Sequence, residues 1–234
     1  MDSNPRVNLV ERFFSGTGTT YDRIATLFTG GIDKLWKRRI LDQLPSHPKL
    51  VVDLASGTGI VTFAIARRYP DAKVIGVELR SEYMEIARVR VLREKIDNVE
   101  FILSRAEDVQ LQYPADAITS SYLAKYVNWD HLARNMYKML EPGGTVVIHE
   151  FTYPASPVIR WAWEFYLFLL RVIGSRLFPQ WRTIFHELPG LIRRTAWVED
   201  ALTALKTEGF VDIHFESLTV GAAGIITARK ASAA

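Results

Sequence analysis

From residue 49 onward, the chain alternates short apolar segments with segments whose apolar residues recur at helical spacing. Residues 49–54 and 73–78 predict buried strands, and the segment between them places Ile60, Phe63 and Ala64 on one helix face. Strands that alternate with helices at this spacing form βαβ units and a parallel sheet that helices cover on both faces. The pattern therefore predicts an α/β fold.

The alternation continues through the rest of the chain with one interruption. Further strands are predicted at 99–102, 117–120 and 145–151, the last after the turn Pro142-Gly143-Gly144. Helices are predicted from Ser81, the expected N-cap residue, and from Trp129. A later helix ends at Gly209, and strands at 211–217 and 224–229 close the fold.

These elements predict a single domain made of four consecutive parts. They are an N-terminal helical region (1–45), a cofactor-binding core (46–153), an aromatic helical cap (154–195), and a C-terminal helix with closing strands (196–234). A chain of 234 residues with 48% hydrophobic and 24% charged residues is typical of one well-cored domain. Residues 1–20 are polar and rich in Gly and Thr, and we expect them to be mobile until a ligand binds.

Charge, cysteine content and hydropathy exclude several classes of function. The net charge of +3 is too small to predict nucleic-acid binding. The absence of Cys excludes a disulfide framework, a thiolate metal site and a Cys nucleophile, and no His pair has metal-ligand spacing, so no metal is expected. No apolar run approaches the roughly 20 residues that span a bilayer. With no signal-peptide pattern, we expect a cytoplasmic protein, and leave a peripheral membrane contact and a homo-oligomer open.

The loop after the first predicted strand is the segment that indicates which ligand the chain binds. A dinucleotide fingerprint beginning at Gly57-x-Gly59 requires glycine at position 62, where the chain has Thr62. A carboxylate at Asp53 would repel a pyrophosphate and attract a cation, and Glu78 is placed to accept ribose hydroxyls. S-adenosylmethionine carries an ammonium, a sulfonium and a ribose but no phosphate, so we expect it as the cofactor. A nicotinamide-dependent reductase is disfavoured, and a plain helix-capping glycine turn remains the structural alternative.

Four stretches resemble class I S-adenosylmethionine-dependent methyltransferases, and within them the ubiquinone/menaquinone biosynthesis C-methyltransferase family. The stretches are 21–38, 52–59, 140–154 and 209–221, and the resemblance covers nearly the whole chain. It implies a Rossmann-like, seven-stranded, mostly parallel sheet with an antiparallel last strand, helices on both faces and a helical cap over an aromatic acceptor.

The loop and the resemblance together nominate the residues that bind the cofactor. The expected cofactor-binding residues are Tyr21, Asp53, Ala55, Ser56, Gly57, Gly59, Glu78, Leu79, Ala106, Glu107 and Ser121. Within this set, Asp53 is expected to meet the cofactor's ammonium, Glu78 the ribose, and Ala106-Glu107 the adenine.

The acceptor side offers fewer firm candidates. Proton transfer needs a titratable group near the acceptor. The candidates for this catalytic role are His149, His186 and Tyr126. For each of them, a structural role is an equal alternative. Neighbours on a strand point to opposite faces, so at most one of His149 and Glu150 faces the acceptor. The expected substrate-binding residues are Trp36, Lys125, Trp161, Phe165 and Phe185.

The segment 158–173 predicts a helix that is apolar nearly all round. Such a helix is buried in a core or faces another apolar body. It is therefore a core helix over the sheet edge or a cap over the acceptor, and either is compatible with a membrane-facing surface. Trp36-Lys37-Arg38-Arg39 is a solvated helix face with one buried Trp, or a guide for the acceptor.

Taken together, these features predict a methyltransferase acting on an apolar aromatic small molecule. C-methylation of a quinol is the leading specific expectation, and O- or N-methylation of another small aromatic metabolite is its rival. The family has an Arg-Asn pair where this chain has Lys125-Tyr126. That departure, with others at positions 25, 26 and 105, keeps a non-catalytic ligand-binding protein as a further alternative.

Overall fold

A computed structural model describes residues 4–232 of the chain, so residues 1–3 of the N-terminal region and 233–234 lie outside the described residues. The strands are β1 (Leu50–Leu54), β2 (Lys73–Glu78), β3 (Val99–Leu103), β4 (Ala115–Ser121), β5 (Leu140–Phe151), β6 (Phe210–Leu218) and β7 (Ala223–Lys230). They form one sheet in the order β3-β2-β1-β4-β5-β7-β6. β7 runs antiparallel to β5 and β6, and the other neighbours pair in parallel. The expected fold is confirmed; its division into four parts stays a prediction.

The helices precede, connect and cap the strands. They are α1 (Pro5–Phe14), α2 (Tyr21–Phe28), α3 (Ile32–Asp42), α4 (Ile60–Arg68), α5 (Ser81–Glu94), α6 (Trp129–Met139), α7 (Pro157–Leu169), α8 (Ser175–Leu177), α9 (Arg182–Arg194) and α10 (Trp197–Thr207). A π-helical turn, Leu170–Gly174, joins α7 to α8.

The sheet is buried on both faces because its strands are apolar at consecutive positions. Val51 belongs to a core cluster with residues of α3 and α4, while its neighbour Val52 belongs to another with residues of α6 and α10. Consecutive strand residues point to opposite faces, so one strand supplies both cores. This two-sided burial fixes the sheet and leaves its carboxyl-terminal edge for a ligand.

The N-terminal region, for which mobility before ligand binding stays a prediction, is helical over much of its length. Residues 5–14 form α1, which the Asn4 side chain caps by accepting a hydrogen bond from the Arg6 amide. Pro5 lies in the first turn, where its missing N–H costs nothing. Val7 and Phe13 are buried. The helix therefore has an apolar face that packs against the rest of the protein, including α9.

Two local boundaries also differ from the predictions. Arg80, and not Ser81, is the residue that precedes α5, and its side chain makes no capping bond. Pro142-Gly143-Gly144 lies inside β5, which begins at Leu140 and shifts register against β4 at this point. Gly209 follows α10 with φ of 92°, as its predicted place beyond the helix end requires.

The aromatic segment forms a helix, but not a core helix. α7 contains no buried residue, and Trp161 is 72% exposed. The core-helix alternative for this segment is therefore wrong. Among the residues that the structure describes, no helix is long and apolar enough to cross a membrane.

Candidate active site

A cavity opens at the carboxyl ends of the first four strands, where the bends after β1 to β4 meet α1. We call it the strand-end cavity. Eight of the expected cofactor-binding residues line it: Tyr21, Ala55, Gly57, Glu78, Leu79, Ala106, Glu107 and Ser121. The structure thus brings residues from five separate segments of the sequence to one place.

In the described part of the chain, Glu78 is one of two acidic residues that line this cavity, and the backbone orients it. Its Oε2 accepts a hydrogen bond from the Gly57 amide and its Oε1 one from the Arg80 amide, each at 2.8 Å. Burial raises the pKa of Glu78, and the backbone hydrogen bonds oppose that shift. Each carboxylate oxygen can accept a second hydrogen bond, so Glu78 is able to hold two hydroxyl groups of a sugar.

The bend between β1 and α4 needs its two glycines. Gly57 and Gly59 have φ of 58° and 89°, a region that favours glycine. A Cβ on Gly59 would lie 2.5 Å from the Phe63 ring, so there is no room for a side chain. The bend brings the Gly57 backbone into the cavity wall, whereas Gly59 and Ser56 do not line it.

Asp53 does not face the strand-end cavity, and the expectation that it meets the ammonium of a cofactor there is corrected. The side chain is buried and lies outside the cavity wall. Thr62 Oγ1 donates to its Oδ2 at 2.6 Å, and Thr119 Oγ1 donates to its Oδ1 at 2.9 Å. Burial raises the pKa of Asp53 to about 6, against the lowering effect of the two hydroxyls. The carboxylate therefore ties α4 to β1 and β4.

A second cavity lies beside the first and is almost entirely apolar. We call it the aromatic cavity. Residues of α2 and α9 line it, as do Trp163, Tyr166, Leu167 and Leu170 from α7 and its following turn. Of the expected substrate-binding residues, Lys125 and Phe185 lie in this wall. α7 is thus a cap over a cavity, as one of the two alternatives predicts.

The two cavities share part of their walls. Four aromatic residues line both of them: Phe14, Tyr21, Tyr122 and Tyr126. The Tyr122 hydroxyl donates to Asp33 at 2.7 Å, but the buried Tyr126 hydroxyl has no hydrogen-bond partner. An unpartnered buried hydroxyl is costly unless a ligand satisfies it, so Tyr126 marks the shared wall as a place where a polar ligand atom fits.

Lys125 is the single charged residue among the described residues that line the aromatic cavity. Its Nζ donates to Glu150 Oε1 at 2.5 Å, and both side chains are almost fully buried. It also lies 4.7 Å from the centroid of the Tyr126 ring. Burial lowers the pKa of Lys125, and the Glu150 carboxylate opposes this. The pair therefore places a positive group in an apolar wall.

The structure separates the two histidine candidates from both cavities. His149 is fully buried, its Nδ1 lies 2.9 Å from Ser121 Oγ, and burial lowers its pKa to about 3, so the ring is neutral. His186 lies on the exposed face of α9. Neither lines a cavity wall. Of the three catalytic candidates, only Tyr126 lies where a ligand would bind.

Three of the expected substrate-binding residues also lie elsewhere. The Trp36 indole is buried against β5, and its N–H donates to Thr219 Oγ1 at 2.8 Å. Trp161 and Phe165 stack on each other on the outer side of α7. These placements correct the expectation that the three side chains bind an acceptor in the cavity.

Sequence reasoning missed Phe14 and the pairing of Glu150 with Lys125. Phe14 lines both cavities from α1, and the apolar spacing of Val7, Val10 and Phe14 was the available signal. Glu150 pairs with Lys125 across a long sequence separation, for which the sequence offers no periodic signal.

The strand-end cavity fits S-adenosylmethionine on its own geometry. Glu78 offers acceptors for ribose hydroxyls at the end of β2. No group of His, Asp and Glu side chains that could hold a metal occurs among residues 4–232. The cavity therefore suits a ligand with a ribose.

This sheet order, with a glycine bend after its first strand and an acid ending its second, defines a class I S-adenosylmethionine-dependent methyltransferase. The model of the ubiE/COQ5 methyltransferase family matches residues 2–230, and the chain belongs to that family. The expected family, cofactor and enzyme class are thereby confirmed.

Relatives and solved structures agree with this membership. The chain is 28% identical to the demethylmenaquinone methyltransferase of Porphyromonas gingivalis, over 97% of this chain and 94% of that one. It is 31% identical to a ubiquinone/menaquinone biosynthesis C-methyltransferase of Hydrogenovibrio crunogenus, over 92% and 87%. A geranyl diphosphate C-methyltransferase from Streptomyces coelicolor shares the fold, with a TM-score of 0.62, 15% identity and coverage of 85% and 79%.

Proposed function

We propose that the protein transfers a methyl group from S-adenosylmethionine in the strand-end cavity to an apolar hydroxyaromatic molecule in the aromatic cavity. The observation that carries this proposal is the shared aromatic wall between the two cavities. Methyl transfer is an in-line displacement, so donor and acceptor must lie within about 3–3.5 Å in a fixed orientation. Two adjoining cavities supply that arrangement.

On the donor side, we propose that Glu78 holds the ribose hydroxyls and that Ala106 and Glu107 lie beside the adenine. When bound, the cofactor would supply an electrophilic methyl group and keep the electron pair of the broken bond on sulfur. The acceptor would bond the methyl carbon with its own electron pair and lose one proton to solvent. Phe14 and Tyr21 keep water from the transfer path, which favours the loss of positive charge.

On the acceptor side, Lys125 and the free hydroxyl of Tyr126 favour an oxygen-bearing aromatic ring. A phenol that loses its proton becomes an anion, and a nearby ammonium stabilises that anion strongly in an apolar cavity. A neutral aromatic amine gains positive charge on nitrogen as it bonds the methyl group, and the same ammonium would oppose that charge, so this wall disfavours N-methylation. C-methylation of a quinol is the specific reaction we propose, because relatives in this family bear names for it.

Glu150 acts in this proposal as a positioning residue. Its Oε1 also accepts the Phe151 amide at 2.8 Å, which fixes the carboxylate against the strand. The carboxylate in turn fixes the Lys125 ammonium and offsets the cost of burying that charge.

An acceptor that fits such an apolar cavity partitions into lipid. We therefore propose that the enzyme collects its acceptor as a peripheral protein at a lipid surface. The exposed aromatic residues on the outer side of α7 support this part of the proposal.

Cofactor binding is tested by calorimetric titration of S-adenosylhomocysteine and of NADH into the protein. We expect binding of the first only, and a loss of about tenfold or more in its affinity on Glu78→Gln, since a hydrogen bond to a charged group contributes about 1.5–3 kcal/mol. Glu85→Gln, on the exposed side of α5, is the matched control. Tighter binding of NADH would reject the proposed cofactor.

The acceptor class is tested by transfer of labelled methyl to 1,4-naphthalenediol and to 1-naphthylamine under reducing conditions. We expect transfer to the diol alone. Lys125→Met should lower kcat/KM for the diol by about a hundredfold, while Lys34→Met, on an exposed site, should not change it. Preference for the amine would overturn the proposed acceptor. Cofactor binding with no transfer to any acceptor would indicate the non-catalytic alternative.

A further inference from the structure

The outer side of α7 carries an unusual amount of exposed apolar surface. We call the group Val158, Trp161, Phe165 and Phe168 the α7 outer face. Each of these side chains is about half exposed or more, and Trp161 and Phe165 stack with their rings nearly parallel. Ile173 and Leu177 extend the exposed surface beyond the helix. A soluble surface seldom groups large apolar residues in this way unless another body covers them.

The outer face and the aromatic cavity lie on opposite sides of the same helix. At about 100° per residue, Trp161, Phe165 and Phe168 lie on one side of α7. Trp163, Tyr166 and Leu167, which line the cavity, lie on the other. A body that covers the outer face is therefore separated from the cavity by one helix.

Charge indicates what that body is. The segment 157–194 holds six arginines and two glutamates, a surplus of four positive charges that exceeds the +3 of the whole chain. Both glutamates are paired, Glu164 with Arg193 and Glu187 with Arg12. Arg171, Arg176 and Arg182 are exposed. A second copy of the chain would present the same positive surface and repel this one, whereas an anionic lipid surface attracts it.

The pattern is that of a helix lying in a membrane interface. Such helices place Trp, Phe and Leu in the acyl boundary and Arg or Lys among the headgroups. Arg171 fits this arrangement, because its guanidinium lies 6.0 Å from the centroid of the Phe168 ring. Its charge is therefore at the edge of the apolar face.

We infer that the α7 outer face and the arginines Arg171 and Arg176 dock on a bilayer that contains anionic lipid. The evidence for docking is the set of exposed apolar residues and the positive charge beside them. The biological role of docking rests on the proposed function, because docking places the aromatic cavity next to the lipid phase that dissolves the acceptor. In this arrangement the acceptor reaches the cavity beneath α7 without crossing bulk water.

Cosedimentation with vesicles tests the docking surface on the full chain. We expect the protein to bind vesicles of equal phosphatidylcholine and phosphatidylglycerol and to bind pure phosphatidylcholine weakly. The double variant Trp161→Ser, Phe168→Ser should lower the partition coefficient at least tenfold. Arg171→Ser with Arg176→Ser should lower it about thirtyfold on anionic vesicles only.

Leu92→Ser is the matched control, because Leu92 is 79% exposed on α5 and lies outside the cap. It should bind vesicles like the wild type. Circular dichroism checks that every variant is folded. No binding of the wild type to anionic vesicles, or full binding by the Trp161 double variant, would overturn the docking surface. The docking surface would also be overturned if the wild type sediments as a dimer and only the double variant Trp161→Ser, Phe168→Ser sediments as a monomer, because the α7 outer face would then bind a second copy of the chain.

Methyl transfer to 1,4-naphthalenediol in the absence of vesicles separates this inference from the proposed function. The double variant Arg171→Ser, Arg176→Ser should transfer methyl at the wild-type rate, because neither residue lines a cavity. Vesicle binding with no methyl transfer would reject the proposed function and leave the docking surface intact. Methyl transfer with no vesicle binding would reject the docking surface and leave the proposed function intact.

Discussion

Replacing Asp53 with asparagine distinguishes a structural carboxylate from a cofactor ligand. The Asp53 side chain is buried between Thr62 and Thr119, which donate to its two oxygens. Burial raises its pKa from 3.8 to about 6. Asparagine keeps the shape of the protonated acid and does not ionise, and its amide has partners in two hydroxyls that also accept hydrogen bonds.

The sign and size of the effect follow from that pKa. The folded state binds the Asp53 proton more tightly than the unfolded state, so the stability gained from this proton is complete below about pH 3.8 and is lost as pH rises through about 6. The whole change amounts to about 3 kcal/mol, of which about 2 kcal/mol falls between pH 4.5 and 7.5. The Asp53→Asn variant carries no such dependence.

Urea unfolding of both proteins at pH 4.5, 6 and 7.5 measures this difference. The other titrating groups are common to the two proteins, so their contributions cancel in the difference. We expect the free energy of unfolding of Asp53→Asn, relative to the wild type, to rise by about 2 kcal/mol across this range. The dissociation constant of S-adenosylhomocysteine should change less than threefold. A pH-independent difference, together with a large loss of that binding, would refute the structural role and restore a direct contact with the cofactor.

Three further substitutions test other parts of the structure. Tyr126→Phe removes an unpartnered hydroxyl, so it should leave thermal stability unchanged or raise it. The variant's kcat/KM for 1,4-naphthalenediol should fall about tenfold, and a large loss of thermal stability would contradict the reasoning. Gly59→Ala should lower the free energy of unfolding by about 1–3 kcal/mol, because the new methyl group meets the Phe63 ring at a positive φ, and a neutral result in urea unfolding would refute the clash. Glu150→Gln should cost about 3–5 kcal/mol in the same assay, since it leaves the Lys125 ammonium buried without a counter-charge; a cost below 1 kcal/mol would show that the pair is not buried as described.

The βαβ frame was predictable from the sequence because its signals are local. The buried strands at Val51-Val52 and Val74-Ile75, and the glycines between them, set the first unit without reference to distant residues. Glu78 was predictable for the same reason, because the end of β2 places it at the sheet edge beside Gly57.

The side-chain environment of the site was not predictable, because distant residues decide it. Nothing in the sequence indicates that Thr62 and Thr119 donate hydrogen bonds to the Asp53 carboxylate. An acid at a strand end therefore looked like a ligand-binding group. Helical spacing in α7 shows which residues share a face, but not which face meets the cavity. Trp161 and Phe165 were therefore expected inside the cavity, and they lie outside it.

A crystal structure with S-adenosylhomocysteine and 1,4-naphthalenediol tests the transfer geometry most directly. It should place the thioether sulfur and the naphthalene ring next to each other at the junction of the two cavities, which Phe14, Tyr21, Tyr122 and Tyr126 line. A diol oxygen should lie within hydrogen-bond distance of Tyr126 or Lys125. An acceptor bound away from that junction, or a homocysteine thioether pointing away from it, would contradict the account.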